Sequence, residues 1–361
     1  MMAEQPVSTR ADGERCCVLR SPPPLDITLV RPVKMKRPIR VLFRTGNFDG
    51  QWACDVPCEY TTAEPSDGGG VDVVIGEGGV PTVSSALRAA NRKLLTGARS
   101  MESAVNYPSL KRLGEQVDCP MTTSLESSAV PVVYLTRSSI AKWGSAPVAW
   151  NVSAIRAAFP PPSGGNQPRT PAVFVARNCH SKNGREDLIR SLDKELRGGV
   201  DRPGMCLNNR KWPACGKSKC GKHAVLRKYP FYLALENSDE DDYVSEKVFH
   251  ALEAGVLPIY NGAPNIAEFV PSGSVVDLKA FGGSIERLAA HLQELLDEPE
   301  RYLEYFKWKH RPLPEAFQRK FAFVGTHAKC RLCRWTYAKK YGLPWSREQQ
   351  RPQPTSGGAS F

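Results

Sequence analysis

The sequence lacks any uninterrupted run of about 18 apolar residues, so no part of it reads as a membrane-spanning helix. Its first residues hold no apolar core of about 7–15 residues, so no secretory signal is visible either. Both absences exclude a channel or carrier. No internal repeat of about 20–50 residues occurs, which excludes solenoids and propellers. Acids are missing locally. From Arg202 to Lys228 there are eight basic residues and no acid, and from Arg319 to Arg351 nine against the single acid Glu348. The whole chain has 361 residues, 49 Lys+Arg and 37 Asp+Glu, a net charge of +12. The two segments therefore hold +16, leaving −4 for the remainder. That pattern describes a localised anion-facing surface, with phosphate, nucleic acid and an acidic membrane face all open.

Apolar residues make up 41%, which excludes wholesale disorder, and the length suits about two domains. Residues 1–38, with Pro22-Pro23-Pro24, read as a flexible lead-in. Residues 346–361 read as a disordered tail. A linker over 159–170, inside FPPPSGGNQPRTP, separates a domain at 39–158 from one at 171–345. In the first, Val41–Thr45, Val71–Ile75 and Val130–Leu135 read as strands and Ser84–Leu95 as a helix. In the second, the strands Val173–Ala176, Phe231–Leu235, Val256–Tyr260 and Val275–Leu278 alternate with helices at Arg185–Arg197 and Ser245–Ala254. A long helix starts near Ser284, with apolar residues at helical spacing. Such alternation predicts parallel α/β layers in each half, with a ligand at the carboxyl ends of the strands.

One segment carries chemistry. The buried strand FYLAL runs into the polar turn ENSDEDDY, and a helix follows with Ser245 as N-cap and Gly255 as terminator. Strand, polar loop and helix N-terminus form an arrangement that suits an anion or a sugar hydroxyl. It would gather Glu236, Asn237, Tyr243, Glu246 and Lys247. A plainer reading, in which Glu246 only favours the helix dipole and Lys247 is solvated, carries about equal weight on pattern alone.

The run Ala234–Ser238 (ALENS), Tyr243–Lys247 (YVSEK), Ala251–Gly255 (ALEAG) and Leu257–Asn265 (LPIYNGAPN) resembles the donor-binding signature of the α1,3-fucosyltransferases, glycosyltransferase family 10. Ser100–Tyr107 (SMESAVNY) with Met121–Tyr134 resembles the family's acceptor-side region, and Arg177–Arg185 (RNCHSKNGR) its segment after the first donor-domain strand. Together the likeness covers about residues 38–340, and its spelling is nearest to the plant-type core α1,3-fucosyltransferases. Ser245 stands where the family usually has Thr, Leu235 where it has Phe, and Pro203-Gly204 where it often has Tyr-Gly.

The resemblance implies a GT-B architecture: an α/β protein of two Rossmann-like domains facing each other across a cleft. It implies GDP-fucose as donor, inversion at the anomeric carbon, and the innermost GlcNAc of a glycoprotein N-glycan as acceptor, with antennary or protein-linked GlcNAc second. Inverting transfer needs a base for the acceptor hydroxyl and fixed positive charge for the departing GDP. Glu102 matches the family's base. Arg185 and Lys247 match its pyrophosphate contacts, while Asn237, Tyr243 and Glu246 match the donor loop, with Glu246 toward the ribose. Glu236 is spelled as strongly and reads equally as structural. No cofactor is implied. A divalent cation would be at most a stimulator, at Asp239, Asp241 or Asp242. Family members are anchored in the Golgi membrane with the catalytic part in the lumen, so membrane association is expected although no anchor is visible, and upstream residues or another mode of retention would supply it.

Eleven cysteines suggest lumenal disulfides, with at least one thiol left free or paired between chains. By resemblance Cys330 pairs with Cys333. A rival reading makes Cys206, Cys215, Cys220 and His223 zinc ligands of a nucleic-acid-binding module, weakened by the lack of a second CxxC. A third keeps the fold as an inactive, lectin-like binder. Asn151-Val152-Ser153 is a candidate glycosylation sequon.

Overall fold

The computed structural model describes residues 17, 19, 35–45, 50–51, 53–66, 70–160 and 169–353. The chain forms two compact units. One takes Leu135–Phe317 together with Met1–Leu19, and the other joins Arg20–Tyr134 to Gln318–Phe361. The expected boundary at 159 is therefore not where the units divide, and the last forty-odd residues do not stay with the second domain. Most of the expected linker, 161–168, lies outside the described residues, as does most of the lead-in.

In the first unit, strands β1 (Ile39–Phe43), β2 (Gly50–Gln51), β3 (Cys58–Thr61), β4 (Val73–Glu77), β5 (Leu95–Arg99) and β6 (Cys119–Met121) form a sheet in the order β2-β3-β1-β4-β5-β6. All neighbours are parallel except β2 against β3. Helix α1 (Ser85–Ala90) starts where Ser84 accepts a hydrogen bond from the Leu87 amide. It is shorter than expected, because Asn91 ends it and the chain enters β5, a strand the apolar pattern did not reveal. The expected strand at 130–135 does not form. Pro131 has no amide hydrogen to give a ladder, and Val130 and Val132 are buried as irregular chain.

In the second unit, α2 (Arg137–Ser145) and α3 (Val152–Ala158) precede the sheet and pack on helices that cover it. Trp143 of α2 lies with its ring centroid 5.9 Å from that of Phe249. This packing draws the residues from Leu135 into the second unit. The sheet comprises β7 (Ala172–Val173), β8 (Val200–Asp201), β11 (Phe231–Leu235), β12 (Leu257–Asn261) and β13 (Val276–Asp277), while β9 (Ala214–Cys215) and β10 (Ser218–Lys219) form a separate hairpin. The order β13-β12-β11-β7-β8 is parallel throughout. Central β11 is buried at all five positions, as a parallel strand covered on both faces must be. Around it run α4 (Arg185–Glu195), α5 (Lys222–Leu226), α6 (Glu246–Ala254), α7 (Ile285–Asp297) and α8 (Pro299–Glu304). Gly255 ends α6 at φ +69°, and a Cβ there would lie 2.0 Å from the Pro147 carbonyl oxygen, so both the turn and the packing require glycine.

Back in the first unit, α9 (Ala328–Tyr341) packs on the sheet and is followed by the hairpin β14 (Trp345–Ser346) and β15 (Arg351–Pro352). The expected disordered tail is thus ordered through residue 353. Gln350 is fully buried and accepts a hydrogen bond from Arg331, and residues 354–361 lie outside the described residues. No helix among the described residues is long and apolar enough to cross a membrane.

The Cys330–Cys333 pairing is not formed. Cys330 bonds Cys54 and Cys333 bonds Cys58. The two helix cysteines stand one turn apart on the face of α9 that meets the Cys54–Cys58 segment, so each finds its own partner across the interface. Cys179–Cys206 and Cys215–Cys220 are also bridged, and Cys119 is free and buried.

Candidate functional site

In both sheets the strands, counted along the chain without β2 and the β9–β10 hairpin, follow the order 2-1-3-4-5. In the second unit that places a switch point between β7 and β11, where the connections leave in opposite directions and open a crevice at the carboxyl ends. A cavity of about 790 Å³ lies there. Val175–Asn178 reach it from the end of β7 and Asn237 from the end of β11. Arg185 comes from the start of α4, and Glu246 and Lys247 from the start of α6. Arg185, Asn237, Glu246 and Lys247, four of the expected donor residues, therefore line one cavity.

Glu236 lies beneath it with no exposure. One carboxylate oxygen accepts from the Ser245 amide at 2.8 Å, and the other accepts from the Ser245 hydroxyl at 2.7 Å and from the Lys247 ammonium at 3.0 Å. Ser245 occupies the N-cap position of α6, yet its hydroxyl is spent on Glu236 and does not cap the helix. A buried carboxylate needs such donors and a counter-charge to remain ionised. Glu236 is thus the anchor that fixes Lys247 at the cavity floor.

Five cations line the cavity, Arg177, Arg185, Lys219, Lys222 and Lys247, against one carboxylate, Glu246. Burial would raise the Glu246 carboxyl, but Lys247 and Lys222 outweigh it and hold the group below its ordinary value. The Lys222 amine is lowered by burial and by Lys247, against the pull of Glu246 at 3.9 Å. Arg185 is 1% exposed, and its terminal nitrogens donate to the Leu235 and Asn178 carbonyl oxygens at 3.3 and 2.7 Å. It therefore ties the ends of β7 and β11 together while holding a fixed charge beside the cavity, and its buried Nε has no partner. Such a surplus of positive charge in a recess suits a ligand with two or more negative charges. Lys219 and Lys222 belong to the acid-free segment 202–228, so part of that excess faces the site.

The loop between β11 and α6 is fastened from below. Asp242 sits at φ +65°, its amide donating to the Asn265 side chain at 3.0 Å and its carboxylate accepting from the same side chain at 3.0 Å. Asp239 accepts from Asn183 at 2.7 Å and lies 3.7 Å from the Lys279 amine, so these loop acids are engaged within the protein. Gly262 allows Glu236 its place, since a Cβ there would lie 2.5 Å from the Glu236 Cγ. Asn265 and Gly262 were in the GAPN spelling but had no assigned role; their part appears only when the turn folds under the loop. At Gly204 a Cβ would come within 2.7 Å of the Ala176 carbonyl oxygen, so the glycine of the Pro203-Gly204 departure is kept for backbone approach.

Tyr243 is 3% exposed in the same loop and does not line the cavity. Glu102 belongs to the first unit, on the turn after β5, where it is exposed and its amide is held by the Ser100 hydroxyl at 3.2 Å. Asn151 is exposed at the N-cap of α3, accepting from the Ala154 amide at 2.8 Å. The zinc reading fails on its ligands: Cys206, Cys215 and Cys220 are in disulfides, and His223 pairs with Glu253 at 3.0 Å.

Residues 166–343 match the model of the glycosyltransferase family 10 (fucosyltransferase) C-terminal domain. A fucosyltransferase-like protein of Arabidopsis thaliana is 32% identical over 80% of this chain and 49% of its own length. An alpha-(1,4)-fucosyltransferase of the same organism is 37% identical over 36% of each chain. The chain thus spans about half the length, or less, of these curated relatives. In fold it is similar to a crystal structure of an α1,3-fucosyltransferase with GDP-fucose, at TM-score 0.51 and 16% identity, covering 78% of this chain and 85% of that one.

Proposed function

We propose that this chain, which belongs to glycosyltransferase family 10 and has its GT-B fold of two Rossmann-like units, moves L-fucose from GDP-fucose to GlcNAc on a glycoprotein glycan, with inversion and with the N-glycan core as first acceptor. The observation that carries this reading is the cavity at the β7–β11 switch point, where five cations surround a single carboxylate. Transfer expels a nucleoside diphosphate, and fixed cations lower the cost of its developing charge. Lys247, held by Glu236, and Arg185, held by two carbonyl oxygens, provide charge that need not reorganise. Glu246, kept ionised by Lys222 and Lys247, is suited to accept from ribose hydroxyls. Glu102 takes the proton of the acceptor hydroxyl as it attacks the anomeric carbon. Antennary or protein-linked GlcNAc is the second acceptor reading.

Four disulfides among the described residues favour an oxidising compartment, and we place the activity in the Golgi lumen, with Asn151 as a glycan attachment site. Incubation of the protein with GDP-fucose and a panel of defined glycans, followed by linkage analysis, tests the reading. Fucose linked α1,3 to the innermost GlcNAc is expected, and absence of transfer to any GlcNAc acceptor refutes it. Glu102→Gln is expected to abolish transfer while GDP binding persists, and retained turnover would remove Glu102 from the role of base.

A further inference from the structure

The segment Trp212–Lys222 is accounted for neither by the sheet nor by the donor signature. Its strands β9 and β10 pair only with each other, Cys215 opposite Ser218 and Ala214 opposite Lys219, and every residue from Ala214 to Lys219 is exposed. A two-stranded hairpin without a covering layer is marginal by itself. Here it is closed by the Cys215–Cys220 disulfide around Gly216, which stands at φ +62°. Two further bonds seat it: the Cys220 amide donates to the Pro213 carbonyl oxygen at 3.0 Å, and the Trp212 indole donates to the Cys220 carbonyl oxygen at 2.8 Å. Cys220 itself is 4% exposed, so the staple joins an exposed hairpin to a buried point immediately before α5.

The residues on either side of that point face the cavity. Lys219 precedes Cys220 by one residue, Lys222 follows it by two, and both line the cavity together with Trp212. Lys222 sits 5.6 Å above the Tyr232 ring centroid and forms a long ion pair with Glu246 at 3.9 Å. Lys217 lies at the hairpin tip and is not part of the lining. The hairpin thus brings two amines to a recess lined by five cations, whose charge Glu236, Glu186 and Glu246 offset only in part, a setting that favours an added anion.

We propose that the disulfide-closed hairpin Trp212–Cys220 is a working part of the donor site, presenting Lys219 and Lys222 as additional contacts to the diphosphate of the nucleotide. The inference rests on the donor reading above. It makes Cys215 and Cys220 positioning residues, acting through the two lysines, and it gives the acid-free segment a purpose.

GDP titration by calorimetry at low salt, with donor and acceptor KM measured in parallel, tests it. Lys222→Ala is expected to weaken GDP binding tenfold or more and Lys219→Ala several-fold, with Lys222→Arg restoring part of the loss. The double variant Cys215→Ser/Cys220→Ser is expected to raise the donor KM several-fold and leave the acceptor KM unchanged. Lys217→Ala is expected to bind GDP like the wild type. Wild-type GDP affinity in both lysine-to-alanine variants overturns the proposal, and they decide the matter even if the cysteine variant fails to fold. Wild-type protein that binds no GDP would instead overturn the donor reading, taking this inference with it, so the two failures are told apart by the first titration.

Discussion

Among single residues, Glu236 is a buried charge with its counter-charge beside it. It is a fully buried carboxylate whose hydrogen-bond donors are Ser245 and Lys247. Removing one member of a buried pair leaves the other charge uncompensated, which costs roughly 3–5 kcal/mol. Glu236→Ala is therefore expected to lose stability of that order in chemical denaturation, and its GDP affinity should fall because Lys247 loses its tether. Retention of full stability would contradict the buried pair. His250, one turn beyond Glu246, makes a second case. Burial and then Lys222 lower its pKa from 6.5 to about 4, while Glu246 and Glu253 pull the other way and His223 adds to the lowering. The folded protein thus binds fewer protons at this site than the unfolded chain between those values. Stability from this group is fully present above pH 6.5 and is lost as pH falls toward 4. Denaturation midpoints across that range should show the slope, and His250→Gln should flatten it.

At the scale of elements, the helices and strands with long apolar patterns were legible. FYLAL is a strand over the expected residues 231–235, the α6 helix ends at Gly255, and the long helix starts at Ser284, whose hydroxyl accepts from the Arg287 amide. What failed were short elements decided by neighbours. β5 is a strand because β4 and β6 pair with it, and Val130–Leu135 is not one because Pro131 interrupts the ladder. The motif turn GAPN is an element whose purpose is mechanical, and Gly262→Ala tests it. The added Cβ would press on Glu236 and on the Tyr260 hydroxyl, at 2.5 and 2.8 Å. Overpacking of this kind costs about 1–3 kcal/mol. A lowered melting temperature together with weaker GDP binding is expected, and an unchanged value of both would show that the turn has room to give.

At the scale of the whole molecule, two sheets share one strand order, and the chain returns at Gln318 to complete the first. That return is fastened by the two disulfides, which span 276 and 275 residues of sequence. Closing so long a loop stabilises by about 5 kcal/mol in the chain-entropy account, but once one bridge is formed the second closes only a few residues and adds roughly 2 kcal/mol. Replacing one pair by serine should therefore cost far less than half the loss seen on replacing both. Additive losses would refute this account. The second basic segment serves the same region. Arg334 pairs with Asp55, Lys340 with Asp72 at 2.6 Å, and Arg331 with Gln350, so much of its charge is internal. Of the two segments that dominate the net charge of +12, one leads to the cavity and the other largely holds the first unit together.

The sequence by itself determined the α/β class, the likeness to glycosyltransferase family 10 and four residues that line one cavity, because hydrophobic periodicity is local and the motif run from Ala234 to Asn265 is nearly unbroken. Tertiary structure alone decided the disulfide partners, the unit boundaries and the destinations of the basic residues. Each of these depends on which distant segments meet. Cys330 finds Cys54 across 276 residues, and Lys222 reaches the same cavity as Lys247 because α5 packs beside α6. No spacing along the chain encodes such meetings. They follow from the way each unit packs its own sheet and the helices that cover it.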